Sequence, residues 1–169
     1  MRIILFRGRP GVGKTTLSSA IAKRHHFPIL RKDDIYHVSA KQIETHENRN
    51  DISYETIYKI LEANVETKCT FILDCPFQYP GDLELIRTWC ATFNVELRSI
   101  LVTCSDEVIW AERIVKREER PYNIHHFTDF ERLKEFYGTM HLTPEEGELL
   151  VDTIHPIEVS VRKIETFIT

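Results

Sequence analysis

No stretch of this 169-residue sequence approaches the roughly 18 consecutive apolar residues that a membrane-spanning helix requires, so a membrane protein is not expected. No Cys-x-x-Cys pair occurs either. Cys69, Cys75, Cys90 and Cys104 stand singly, in or beside apolar runs, and read as buried, reduced thiols of a cytoplasmic protein rather than a disulfide frame or a zinc site. Positive charge is not in excess: the formal net charge is −4. A protein that coats long nucleic acid would carry a broad basic field, so long nucleic acid is not the expected partner. What remains, with 42% hydrophobic and 28% charged residues, is the composition of a soluble globular chain of one domain, residues 1–169.

One scarcity is local. Residues 1–32 carry eight Lys or Arg and no acidic residue before Asp33. A basic, acid-poor start occurs in transit peptides, but this one already holds an apolar strand and a glycine-rich turn by residue 15, so an anion site is the expectation. The eight histidines include the adjacent pairs His25-His26 and His125-His126, and none has the spacing of a metal ligand set. They read mostly as surface residues, with His125 and His126 placed where they could touch a substrate.

Apolar periodicity gives an alternation of strands and helices. Arg2–Phe6 is a short, nearly all-apolar run of the kind buried on both faces of a parallel sheet. Leu17, Ala20 and Ile21 recur at helical spacing from Lys14 to His25, and Phe27-Pro28 breaks the pattern before the strand Ile29-Leu30. Further on come a helix marked by Ile57, Ile60, Leu61 and Val65, a strand Thr70–Leu73, a helix Leu83–Phe93 and a strand Val95–Val102. Ser105 is the expected N-cap of the next helix, ahead of Asp106 and Glu107. Leu149–Val151 and Ile157–Ile168 complete the series as strand and helix. This order predicts an α/β fold with a parallel sheet and right-handed crossovers. Residues 39–52 and 118–128 are the least regular and read as flaps over a site at the strand C-termini.

Gly8-Arg9-Pro10-Gly11-Val12-Gly13-Lys14-Thr15 satisfies G-x-x-x-x-G-K-[ST], between a predicted strand and a predicted helix. The mechanism needs each of these residue types. Gly8, Gly11 and Gly13 let the backbone curl, so that N–H groups through Val12 to Thr16 point at phosphate oxygens. Lys14 reaches the β- and γ-phosphates, and the Thr15 hydroxyl ligates magnesium. ATP with magnesium is the expected ligand.

The loop leaves the reaction open. Hydrolases of this superfamily place a water-orienting glutamate beside the acid that ends the core strand, and here Asp74 is followed by Cys75. Switch GTPases read guanine with Asn-Lys-x-Asp, and no Asn-Lys occurs. A small phosphotransferase fits better: an acid takes the proton of an acceptor hydroxyl, and lid arginines neutralise the moving charge. Asp33, after strand Ile29-Leu30, is the expected base, with Asp34 structural; either would also serve as a helix N-cap before Ile35–Val38. Asp74 holds a magnesium-bound water or a substrate hydroxyl, or else bonds Thr15 or a backbone amide. Arg113 and Arg117 share a helix face, near Lys116 and Arg120. Glu112, Glu118 and Glu119 could pair with this cluster. The expectation is that at least one of these arginines meets ATP phosphates, Arg117 before the others.

Taken together, Gly8–Thr16, Arg31-Lys32-Asp33-Asp34, Asp74 and the Arg113/Arg117 helix resemble the small P-loop kinases often described as predicted ATP-binding kinases. The kinase domains of polynucleotide kinases, chloramphenicol phosphotransferase, zeta toxins and gluconate kinases are relatives. The resemblance runs from Arg2 to Phe167 and implies a five-stranded parallel sheet of order 2-3-1-4-5 between helical layers, with a small lid at about 117–128. It further implies that Asp33 is the base, that Arg117 assists transfer, and that residues near Thr153 to Pro156 lie by the adenine. One position departs from the pattern. Polynucleotide kinases carry an arginine three residues beyond the base, where this chain has Tyr36. With the net charge, that favours a small-molecule acceptor: a nucleoside, nucleotide or sugar-like compound.

Overall fold

The first strand shows why a sheet must be covered on both faces here. Ile4 and Phe6 enter one core and Ile3 and Leu5 the other, all four fully buried. Each such side chain contributes about 1.5–3 kcal/mol by leaving water. The computed structural model describes residues 1–79, 81–116 and 129–169. Its elements are β1 (Arg2–Arg7), α1 (Lys14–His25), β2 (Ile29–Arg31), α2 (Lys32–Ser39), α3 (His46–Glu62) and β3 (Thr70–Asp74). They continue with α4 (Asp82–Thr92), β4 (Glu96–Thr103), α5 (Glu107–Val115), α6 (Phe130–Tyr137), β5 (Leu149–Asp152) and α7 (Ile157–Ile168).

The five strands pair in parallel in the order β2-β3-β1-β4-β5. This is the three-layer P-loop fold implied by the resemblance. Helices α1, α5, α6 and α7 cover one face through Leu17, Ile21, Trp110, Leu133 and Ile164, while α3 and α4 cover the other through Ile57, Leu61, Leu83 and Ile86. Register levels the strand ends: Arg31 pairs with Asp74, and Asp74 with Phe6. The turn after β1, the end of β3 and the start of α2 therefore meet at one edge of the sheet, where ligands bind in open α/β folds.

Several local expectations are corrected. The segment 39–52 is not irregular throughout, because His46 onward forms the first turns of α3, capped by the Thr45 side chain accepting from Asn48 N at 3.3 Å. Its apolar stripe is missing because His46, Asn50 and Asp51 face a cavity instead of a core, while Tyr54 lines that cavity and packs on Phe77. The cap of α5 is Asp106, not Ser105; its carboxylate accepts from the backbone N–H groups of Val108 and Ile109 at 2.9 and 3.0 Å. The N-cap of α2 is Arg31, so Asp33 and Asp34 lie in the first turn, at the positive end of the helix dipole. Helix α6 was not foreseen, although Asp129 caps it and Phe130, Leu133 and Tyr137 keep helical spacing. Cys69 is exposed, while Cys75, Cys90 and Cys104 are buried, and all four are free thiols. Among the described residues no helix is long and apolar enough to cross a membrane.

Candidate active site

Backbone geometry builds the loop. At Gly8 the chain leaves β1 with φ 137°, and a Cβ there would come within 2.3 Å of the Val102 carbonyl oxygen, so only glycine lets the loop lie against β4. Gly13, at φ 100°, is the N-cap of α1 and makes no side-chain cap bond, which leaves the first-turn N–H donors for a ligand. Helix α1 also has no acid in its first turn, whereas each of the other described helices has at least one. The positive end of its dipole is thus unopposed at the loop.

Side chains then hold that loop in shape. Val12 is buried and anchors it to the core, so only its backbone is offered to a ligand. The fully buried Trp110 donates Nε1–H to the Pro10 carbonyl at 2.8 Å. Lys14 Nζ donates to the carbonyls of Gly8 and Arg9 at 2.8 and 2.9 Å, which centres its charge in the curl. Thr15 and Thr16 are exposed on the first turn of α1 and line a cavity of about 1010 Å³.

Asp74 ends β3 beside this turn and is 7% exposed. It accepts from Ser18 Oγ at 3.1 Å, and Arg31 Nε stands 3.8 Å away. Arg31 also donates to Ser19 Oγ at 2.9 Å, so strand β2, helix α1 and Asp74 are tied together. Burial pushes the Asp74 carboxyl above the usual range; Lys14 and the Thr15 and Ser18 hydroxyls oppose that shift, and Asp33 adds to it. Both alternatives for Asp74 stand, since hydroxyls bond it and it also lines the cavity. Among the described residues no cluster of three or more His, Cys, Asp or Glu could hold a metal alone. A hydroxyl from Thr15 with one nearby carboxylate nonetheless fits magnesium, which takes few protein ligands and completes its shell with phosphate and water oxygens.

The cavity has two ends. At one, Arg113 meets the turn after β5: its guanidinium donates to Thr153 Oγ1 at 2.6 Å and to the Thr153 carbonyl at 2.9 Å. Thr153 Oγ1 in turn lies 2.8 Å from the Val12 carbonyl and 3.1 Å from that of Thr103, so one hydroxyl joins the phosphate loop, β4 and the turn after β5. At the other end stand Lys32, Asp33, Tyr36, His46, Asn50, Tyr54 and Tyr137. Asp33 is exposed there, and Asp34 pairs with Arg31 at 3.6 Å. Gly8, Gly11, Val12, Gly13, Lys14, Thr15, Thr16, Asp33, Asp74 and Arg113 are thereby gathered at one edge of the sheet. Arg117, Arg120, His125 and His126, with the expected lid at 117–128, lie outside the described residues.

Sequence reasoning missed Thr153 as a connector and gave no role to Lys32 or Trp110. Thr153 carries no motif. Trp110 is the kind of apolar helix residue read as core, and its indole N–H partner is 100 positions away.

A family model described as an AAA domain matches residues 3–140. The chain belongs to this AAA-domain family. It is a P-loop domain of kinase-like type. No curated protein matches it. Solved structures share the fold of this AAA domain over nearly its whole length. A Chloroflexus aurantiacus protein described as a kinase candidate has 20% identity and a TM-score of 0.76, covering 99% of this chain and 98% of its own. A gluconokinase from Sinorhizobium meliloti has 18% identity and a TM-score of 0.66, covering 98% and 90%. The APS kinase of Mycobacterium tuberculosis, in complex with AMPPNP and APS, has 14% identity and a TM-score of 0.65, covering 99% and 96%. At these identities the likeness speaks for the fold of the AAA domain, and the reaction has to be argued from its residues.

Proposed function

We propose that this chain is a kinase that moves the γ-phosphate of ATP onto a hydroxyl of a small molecule, such as a nucleoside, nucleotide or sugar-like compound. The observation that carries this reading is a single cavity that runs from Lys14 and Thr15 past Asp33 to a wall of Tyr36, His46, Asn50 and Tyr54. A loop that only bound nucleotide would need no such extension of the cavity. The gluconokinase and APS kinase of the same fold act on small molecules by their names, which agrees with this reading.

In this mechanism the α1 N–H groups and Lys14 grip the β- and γ-phosphates. Magnesium, when bound, neutralises phosphate charge, and Thr15 and Asp74 are the residues that would hold it or its waters. Asp33 accepts the proton of the acceptor hydroxyl as its oxygen attacks. Arg113 orders the base-side turn through Thr153, and Arg117 is assigned to the charge in flight. Residues 1–169 act as one unit with 117–128 as its lid, and the free thiols suit a reducing compartment such as the cytoplasm.

ATP consumption measured against a metabolite library tests the reading. Slow hydrolysis should rise sharply with one acceptor, and Asp33→Asn should keep ATP binding while turnover falls by about 10² to 10⁴. Acceleration only by a protein partner would instead support a regulatory ATPase, and labelling of a 5′-hydroxyl oligonucleotide would support a nucleic-acid end kinase. The buried Cys75 thiol, where a hydrolase would place glutamate, speaks against the ATPase alternative.

A further inference from the structure

Among the described residues, Lys32 is the one cation on the acceptor side of the cavity whose burial calls for a ligand. Its side chain follows β2 into the first turn of α2, is 7% exposed and lines the cavity. Its Nζ lies 4.1 Å from the centre of the Tyr36 ring. Among the described residues the ammonium has no hydrogen-bond acceptor and no carboxylate within ion-pair distance, although Asp33 is its sequence neighbour. Neighbouring cations are committed elsewhere. Arg9 donates to the carbonyls of Gln78 and Thr139 and stacks on Tyr137. Arg49 donates to those of Ile43 and Glu44.

An ammonium group has three donors, and one aromatic face satisfies none of them fully. The stem is buried while Nζ keeps access to the cavity, so its donors face the space a ligand would fill, and a charge held in so largely desolvated a place without oxygen partners is costly until a ligand completes the shell. Burial also draws the Lys32 ammonium below its usual range, with Asp33 and Cys75 opposing the shift. A neutral hydroxyl would fill one donor; an anion would fill donors and balance the charge.

We propose that Lys32 anchors an anionic oxygen group, a carboxylate or a phosphate, carried by the same acceptor molecule whose hydroxyl is phosphorylated. The inference rests on the kinase reading and narrows its substrate class to acidic acceptors. The anchor sits next to Asp33 in sequence, so an acceptor held by Lys32 at one end presents its hydroxyl to Asp33 at the other. Lys14 serves the phosphates of ATP, which leaves Lys32 for the acceptor.

The test compares wild type with Lys32→Met, which keeps the stem and removes the charge, and with Lys32→Arg, which keeps the charge. ATP consumption is followed with hydroxy acids, with polyol phosphates and with uncharged polyols of matched size. Wild type is expected to prefer one charged class, and the class preferred tells carboxylate from phosphate. In Lys32→Met the acceptor KM should rise by about 10- to 150-fold, the loss of one charge-assisted bond, while the KM for ATP stays unchanged. Lys32→Arg should restore part of the loss. Equal use of neutral and charged acceptors by wild type overturns the anchor and leaves the kinase reading standing. A fall in kcat with the preference intact does the same, since it would place Lys32 on the moving phosphoryl group. Should Lys32→Met fail to fold, the wild-type preference decides alone. If no acceptor raises ATP consumption above its basal rate, the kinase reading falls instead, and the anchor is then decided by calorimetry of inorganic phosphate with protein saturated by Mg-AMPPNP. A phosphate site present in wild type, lost in Lys32→Met and at least partly kept in Lys32→Arg supports the anchor; a site absent from wild type, or retained in Lys32→Met, overturns it.

Discussion

Thr153→Val removes one hydroxyl and changes almost no volume, so it isolates what that hydroxyl holds together. In the wild type, Thr153 Oγ1 lies 2.8 Å from the carbonyl of the buried Val12 and accepts from Arg113 Nη1 at 2.6 Å. Valine leaves the Val12 carbonyl without this donor and Arg113 with only the Thr153 backbone oxygen. An unsatisfied buried acceptor costs about 1–3 kcal/mol. For a chain of this length that corresponds to a fall in Tm of roughly 2–12 °C. If the hydroxyl also sets the curl of the loop, AMPPNP affinity falls too, by about 5- to 150-fold for the same energy. Scanning calorimetry reads the first effect and isothermal titration with Mg-AMPPNP the second. Unchanged Tm together with unchanged affinity would show that the bridge through Thr153 holds nothing, and the coupling between the phosphate loop and the turn after β5 would have to be abandoned.

Asp74→Asn tests the cost of a buried acid. The folded-state carboxyl is raised above its unfolded value, so its ionisation opposes folding at neutral pH. The variant should have a higher Tm than wild type at pH 7, the gain shrinking as pH falls and vanishing below about 4, where unfolded aspartate is protonated as well. A lower Tm at pH 7 would reverse the sign and refute the argument. Arg117→Ala should slow phosphoryl transfer by about 10³-fold or more while ATP binding changes far less; if Arg120→Ala is the damaging change, the lid register is wrong.

Where the physics is local, the sequence made the fold legible. Arg2–Phe6 is apolar on both sides of its pleat, and Gly8–Thr15 needs no tertiary context to be read. Strand starts and ends for β1 to β5 fell within a residue or two, because burial of the central strands on both faces, and the apolar residues of the half-buried edge strands β2 and β5, leave apolar runs with polar borders. Helix α6 and the first turns of α3 were hidden for opposite reasons. The former is short, with two buried apolar anchors, Phe130 and Leu133. The latter turns polar residues toward the cavity, so the pattern that betrays a surface helix is absent. Lys32 looked like part of a charged run until the fold buried it beside Tyr36. The bond from Arg113 to Thr153, 40 positions away, was equally out of sight. Such partners come from long-range register, which residue patterning does not encode.

The central claim is that the Gly8–Thr15 backbone and Lys14 grip a triphosphate. Titration of Mg-ATP into wild type and Lys14→Ala tests it most directly: saturable heat with one site per chain is expected in wild type, with binding impaired in the variant. Wild-type protein that gives no heat of association, or a variant that binds as well as wild type, would contradict it.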